Sequence, residues 1–185
     1  MARVLWHVTM SLDGVIAGPD DAMDWVFEDF SEAQNETARE VIAETGAIVM
    51  GRRTYEVEDR IRSGIYGGAW TGPFFVLTHD RPAVVPEWMT GTFLDEGIDA
   101  AIARATEAAG GRSVGILGAD LARQCLERGL LDEIVVHLAP VLLGDGVRLF
   151  AAPGGSRVRL EPIQVRRTGR LTDLRFSVGG PRRSA

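Results

Sequence analysis

Four short stretches of the 185-residue chain place function-capable side chains beside glycine: Thr9 to Gly18, Gly51-Arg52-Arg53-Thr54, Thr78-His79-Asp80-Arg81 and Gly118-Ala119-Asp120-Leu121. Each follows an apolar run expected to be a strand. In an open α/β sheet, ligands bind outside the carboxyl ends of the strands. Two of the stretches also open helices, and a helix N-terminus offers unpaired N–H groups and a partial positive charge that suit phosphate. Gly51 allows close backbone approach, Arg52 and Arg53 supply charge, and Thr54 supplies a hydroxyl. This is the chemistry of a dinucleotide-phosphate site. An arginine pair at a helix start is more often a solvated surface, and the spacing alone does not separate the two readings.

Composition narrows the chemistry. All 20 basic residues are Arg and none is Lys. Schiff-base catalysis on lysine and a P-loop lysine are therefore excluded. Cys125 is the single cysteine, which rules out an internal disulfide and a cysteine-cluster metal site; His7, His79 and His137 are scattered, so no metal is expected. Cys125 and His137 both sit among apolar neighbours and are expected to be packed.

The net charge of −6 hides an asymmetry: residues 148–185 carry nine Arg against two acids, whereas the rest of the chain is acidic. Those arginines alternate with apolar residues, as on the wet face of a sheet, so no nucleic-acid partner is expected. No apolar run reaches the length of a membrane span, and the start has no signal-peptide core. A cytoplasmic protein with no membrane contact is the expectation.

The elements that must hold these residues follow from periodicity and punctuation. Val4–Met10, Ala47–Met50, Phe74–Thr78 and Ser113–Leu117 read as short buried strands, and Ile134–Leu143 as a long one. Helices are expected from a Ser31/Gln34 capping box to a C-cap at Gly46, from Arg53-Thr54, from Ile98 to Gly110-Gly111, and over 119–128 before Gly129. Residues 63–72 are a glycine-rich loop. Residues 158–166 and 171–178 form a closing hairpin. Strands alternating with helices give an α/β fold: a mostly parallel central sheet, helices on both faces and an antiparallel C-terminal hairpin. One domain over residues 1–180 is expected, with a disordered tail at 181–185.

Several motifs carry a family resemblance. They are Ser11-Leu12-Asp13-Gly14-Val15-Ile16-Ala17-Gly18, Ala22-Met23-Asp24-Trp25, Met50-Gly51-Arg52-Arg53-Thr54-Tyr55-Glu56, Phe75-Val76-Leu77-Thr78 and Gly118-Ala119-Asp120-Leu121-Ala122-Arg123-Gln124. The most specific is the run from Gly129 to Gly144, with Gly146 and Leu149-Phe150. In this order they resemble the bacterial bifunctional deaminase-reductase C-terminal domain family, within the dihydrofolate-reductase superfamily. The resemblance covers nearly the whole chain and implies a dihydrofolate reductase-like three-layer fold.

The resemblance also implies NADPH binding and hydride transfer. It places Thr9, Ile16 and Ala17 near the nicotinamide. Gly51, Arg52, Arg53 and Thr54 would hold the pyrophosphate and 2′-phosphate. Leu77, Thr78 and His79 would border the adenosine, with Arg81 a further 2′-phosphate partner. Gly118, Ala119, Asp120 and Leu121 would meet the pyrophosphate at a helix start, where the family usually has adjacent glycines and this chain has only Gly118. Trp25 and Phe30 fall on the substrate side. An acid that binds the pterin in dihydrofolate reductases would fall at Phe30; Asp29, one position earlier, is the candidate proton source. Arg60, Arg62 and Arg148 are candidates for a substrate phosphate.

The implied activity resembles 5-amino-6-(5-phosphoribosylamino)uracil reduction in riboflavin biosynthesis. No zinc deaminase signature accompanies it. Dihydrofolate reduction is a second enzymatic reading, and a non-catalytic ligand-binding or sensor protein on the same fold is a third. The family is commonly dimeric, and the apolar residues 138–150 with the closing hairpin are the expected interface of a homodimer.

Overall fold

The computed structural model describes residues 2–29, 35–61, 64–151 and 157–179. Ten strands and five α-helices alternate along them. In chain order they are β1 (Val4–Ser11), β2 (Val15–Ala17), α1 (Asp24–Asp29), α2 (Glu36–Glu44), β3 (Thr45–Gly51), α3 (Arg52–Ile61), β4 (Phe74–Leu77), β5 (Thr92–Leu94), α4 (Ile98–Ala108), β6 (Ser113–Leu117), α5 (Ala119–Glu127), β7 (Glu133–Ala139), β8 (Val147–Arg148), β9 (Arg159–Thr168) and β10 (Leu171–Gly179). Eight strands form one sheet in the order β5-β4-β3-β6-β1-β7-β10-β9, and β2 pairs with β8 separately. The first six strands of that order run parallel, and β10 and β9 are antiparallel at one edge.

Alternation along the strands sends side chains to two cores. Val4, Trp6, Val49, Val114 and Ile116 meet Ile98, Ala101, Ile102 and Ala105 of α4 and Leu121, Ala122 and Cys125 of α5. The small residues on these helices let them lie close to the sheet. On the other face, Ile48, Met50 and Val76 pack with Tyr55 of α3, and Leu5 and Val135 pack with Val41 of α2.

Four boundaries differ from the sequence-based expectations. The helix before β3 begins at Glu36 because Asn35 caps it, accepting from the Ala38 N–H at 2.9 Å; Ser31 and Gln34 lie outside the described residues. That helix ends at Glu44 and passes directly into β3. Gly46 is thus a strand residue rather than a C-cap, and it is glycine because a Cβ there would collide with the Ala109 carbonyl. The long apolar run stops as a strand at Ala139, since Pro140 has no N–H for the ladder. Beyond it the Val141 carbonyl accepts from Leu12 N–H at 2.8 Å, and Leu142 is exposed. Finally, β2, β5, β8 and α1 are too short for any periodicity to announce them. The tail at 181–185 lies outside the described residues.

Candidate active site

Strands β1 and β6 pair only from Val4 to Trp6, whereas β1 follows β7 as far as Ser11. Past Trp6 the two strands part at their carboxyl ends. A cleft of about 630 Å³ lies there, lined by Thr9 of β1, Gly51 of β3, Leu77 of β4 and Gly118 of β6, with Ile16 and Ala17 of β2. The other residues of the expected cofactor set line the same cleft: Arg52, Arg53 and Thr54 from α3, Thr78 and His79 after β4, and Ala119, Asp120 and Leu121 from α5.

The α5 end of the cleft is built around one glycine. Gly118 has φ +103°, and no side chain caps the helix N-terminus that follows it. A Cβ on Gly118 would lie 2.6 Å from the Thr54 hydroxyl. Ala119 is an ordinary helical residue, so a second glycine has no conformational task here. Beside Gly51 the nearest atom to an added Cβ is Leu121 Cδ1 at 4.0 Å, leaving backbone open to the cleft. Two helix starts, bare backbone and two arginines form a cradle that fits an anionic dinucleotide.

The arginines are already engaged. Arg52 Nε donates to Glu56 at 2.5 Å, and the guanidinium also donates to the Asp80 carbonyl. Arg53 Nε donates to Asp21 at 2.6 Å, and that bond and charge raise the Arg53 pKa further. A phosphate would compete with Asp21 and Glu56, both acids near the cleft. The Thr78 hydroxyl bridges the Asp80 backbone, donating to its carbonyl at 3.0 Å and accepting from its N–H at 3.1 Å, and His79 is exposed at the rim. Arg81 packs over the Phe93 ring, 5.1 Å from its centroid, and does not line the cleft.

Asp13, from the Ser11-to-Gly18 motif, works as a latch. It accepts from the Ser11 hydroxyl at 2.6 Å and from the Gly144 and Leu143 N–H groups at 2.7 and 3.2 Å. The Ser11 bond, then these backbone donors, hold its carboxyl at about 2. Two distant family motifs are thereby tied together at the β1–β2 loop.

A line of polar residues runs from the cleft into the sheet. Tyr66 and His7 line the cleft. The Tyr66 hydroxyl lies 2.9 Å from His7 Nδ1, His7 Nε2 lies 2.6 Å from His137 Nε2, and His137 Nδ1 lies 2.6 Å from Asp173 Oδ1. His7, His137 and Asp173 are all buried. Burial, then the neighbouring His137, pushes His7 well below its ordinary 6.5. Burial alone would raise Asp173, but hydrogen bonds from His137 and Thr168 outweigh it and bring the carboxyl to about 2.

A model of the RibD C-terminal domain matches residues 2–69 and 75–172. The chain belongs to this family. Among curated proteins it is 27% identical over 153 residues to the uncharacterized protein YwjB of Bacillus subtilis (strain 168), covering 80% of this chain and 82% of that one. A putative riboflavin biosynthesis protein from Shewanella sp. PV-4 superposes with a TM-score of 0.80 at 25% identity, over 97% of this chain and 100% of that one. The deaminase/5-amino-6-(5-phosphoribosylamino)uracil reductase of Thermotoga maritima shares the fold, with a TM-score of 0.68 at 12% identity; 96% of this chain covers 57% of it.

Within the RibD C-terminal domain frame, the substrate-side expectations fare differently. Trp25 does not line the cleft; it packs against the cluster of Val26, Ala38, Ala139 and Leu171. Residue 25 is drawn there because its ring completes a small apolar cluster over β7 and β10. Asp29 ends α1, and its side chain, like Phe30, lies outside the described residues. Arg62 and the Arg60 side chain lie outside them too. Arg148 donates to the Asp13 carbonyl at 3.3 Å and does not line the cleft. Met23, Val26 and Tyr66 line it instead. His7, Tyr66, His137 and Asp173 were not singled out as site residues by sequence reasoning. Their one sequence signal is polar residues inside otherwise apolar strands, beside an aromatic set among glycines.

Proposed function

We propose that the protein is an NADPH-dependent reductase of a ribosylamino-pyrimidine or a related small polar heterocycle. The observation that carries this reading is the single cleft that gathers Thr9, Ile16, Gly51, Arg52, Arg53, Thr78 and Gly118 from separate strand ends. When bound, NADPH supplies a hydride from its nicotinamide ring. Arg52, Arg53 and the N-terminus of α5 would hold its phosphates, through charge-assisted hydrogen bonds and the helix dipole. Thr9, Ile16 and Ala17 would border the nicotinamide, and Leu77, Thr78 and His79 the adenosine. The chain itself orients the two reactants and excludes water, with Val26, Met23 and Ile16 as apolar walls.

Titration with NADPH and NADH, followed by calorimetry, tests the cofactor. NADPH binds more tightly, and replacing Arg52 and Arg53 together with Ala weakens it by about 1–3 kcal/mol, allowing for the solvent exposure of both arginines. Equal affinity for the two cofactors refutes the 2′-phosphate assignment. NADPH consumption with 5-amino-6-(5-phosphoribosylamino)uracil then tests the substrate class.

Self-association is part of the proposal. Strand β9 is a sheet edge on which Leu160, Ile163 and Val165 are exposed, and Phe150, after β8, is also exposed. Edges of this kind are protected by pairing or cover. A second copy meeting the same patch about a two-fold axis would cover it. Of the arginines here, Arg166 meets Glu36 and Glu40, and Arg175 meets Glu44 and Glu133, while Arg157, Arg159 and Arg167 are exposed.

A further inference from the structure

We propose that Tyr66, His7 and His137 form a proton relay that draws on the His137–Asp173 pair and delivers through the Tyr66 hydroxyl into the cleft. This deepens the reductase reading and rests on it for the acceptor: a substrate atom that gains a proton as hydride adds beside it.

The hydrogen bonds fix the direction. Asp173 accepts from Thr168 Oγ1 at 2.8 Å and from Asn35 Nδ2 at 3.1 and 3.3 Å. The Asn35 amide cannot turn to face it with oxygen, because Asn35 Oδ1 accepts from the Ala38 N–H at the start of α2. Asp173 is therefore surrounded by donors and stays ionised, so His137 Nδ1 must carry a proton toward it. That leaves His137 Nε2 facing His7 Nε2 at 2.6 Å, with one proton between them.

Two arrangements satisfy these bonds. In the loaded form His137 is an imidazolium, donating from Nδ1 to Asp173 and from Nε2 to His7; His7 donates from Nδ1 to the Tyr66 oxygen, and the Tyr66 O–H points into the cleft. In the discharged form every bond beyond the His137–Asp173 pair reverses: Tyr66 donates to His7 Nδ1, and His7 donates from Nε2 to a neutral His137. Passing from one to the other moves the Tyr66 proton to the substrate, the His7 Nδ1 proton to Tyr66, and the His137 Nε2 proton to His7. One proton leaves, His137 loses one positive charge, and Tyr66 and His7 end neutral, as they began.

The surroundings favour transmission over storage on His7. Its imidazole is pressed by His137 and by the Arg175 charge, while Asp173 attracts. Arg175 is itself held by Glu133 at 2.6 Å and Glu44 at 2.8 Å, and Arg3 pairs with both of those acids. A polar cluster that served packing alone would have no need to surface. This one surfaces through Tyr66, whose backbone is left-handed (φ 55°, ψ 44°) between Gly64, Gly67 and Gly68, which share positive φ. Such a conformation is unfavourable for a ring-bearing residue and marks a position held for its side chain.

Nitrogen-15 NMR of histidine-labelled protein, titrated from about pH 9 to pH 5, tests the relay without substrate or cofactor. The expected result is that His7 changes from the Nε2–H to the Nδ1–H tautomer while His137 keeps its Nδ1–H toward Asp173. Asp173→Asn abolishes this change. A single His7 tautomer across the range overturns the relay. Tyr66→Phe, at the cleft surface, provides the kinetic arm. With NADPH and the ribosylaminouracil its kcat falls at least about 100-fold while KM for NADPH holds. Wild-type kcat in Tyr66→Phe also overturns the relay. If the wild type binds no NADPH, the reductase reading fails, and the tautomer change still decides the relay.

Discussion

Gly118→Ala puts the cradle at the head of α5 under direct load. Two costs follow from the geometry. The backbone stands at φ +103°, a region L-residues rarely adopt, and the new Cβ meets the Thr54 hydroxyl at 2.6 Å. Backbone strain of this kind costs about 1–3 kcal/mol and overpacking about a further 1–3, so the variant should lose roughly 2–6 kcal/mol of stability. The two contributions separate in a double-mutant cycle with Thr54→Ala, which removes the hydroxyl. In that background Gly118→Ala should cost only the backbone share, leaving a coupling of about 1–3 kcal/mol between the two sites. Urea unfolding monitored by circular dichroism measures all four proteins. A cost below about 0.5 kcal/mol for the single variant, or strictly additive costs, would refute the contact between Thr54 and Gly118 that shapes the α5 end of the cleft.

Acid should destabilise the protein in two stages. His7 and Asp173 both have depressed values in the folded state, so each contributes fully above its unfolded value and progressively less as pH falls. The His7 share should fade below about pH 6.5, with a slope of up to about 1.4 kcal/mol per pH unit, and His7→Gln should flatten that part of a stability–pH curve. The Asp173 share should fade only below about pH 3.9, toward its folded value of about 2. Burial pushes the Cys125 thiol up to about 12, so an aromatic disulfide reagent should leave it unmodified at pH 8 until denaturant is added. Sedimentation at micromolar concentration should show a dimer, and Val165→Asp or Phe150→Asp should dissociate it with the fold intact; a dimer indifferent to both moves the interface away from β9.

What was legible in the sequence was local. Glycines 110, 111 and 129 do end α4 and α5 in left-handed turns, and Ile98, Ala101, Ile102 and Ala105 do mark the buried stripe of α4. The strand ends carrying Gly51, Thr78 and Gly118 could be placed because each follows an unbroken apolar run. Gly46 misled because a glycine after a helix is ordinarily a cap, while here Ala109, sixty-three positions away, dictates it. The His7–His137–Asp173 line was illegible for the same reason: its members come from three strands, 130 and 36 positions apart, and nothing local distinguishes them from packed polar residues.

That separation has a consequence for how the chain reaches its native state. The neighbours of β1 in the sheet are β6 and β7, so the first strand made must wait for more than half the polypeptide before either flank is covered. The His7 Nε2 contact then waits for β7, and the His137 Nδ1 contact waits for β10. Non-local pairing of this kind folds slowly, because loop closure precedes any gain from contact. The interior polar line is thus completed only when β10 docks, and a chain cut before residue 171 would lack the Asp173 acceptor that meets Asn35 Nδ2 and His137 Nδ1. Docking of the C-terminal hairpin therefore closes the sheet edge and supplies the Asp173 end of the polar line in one event.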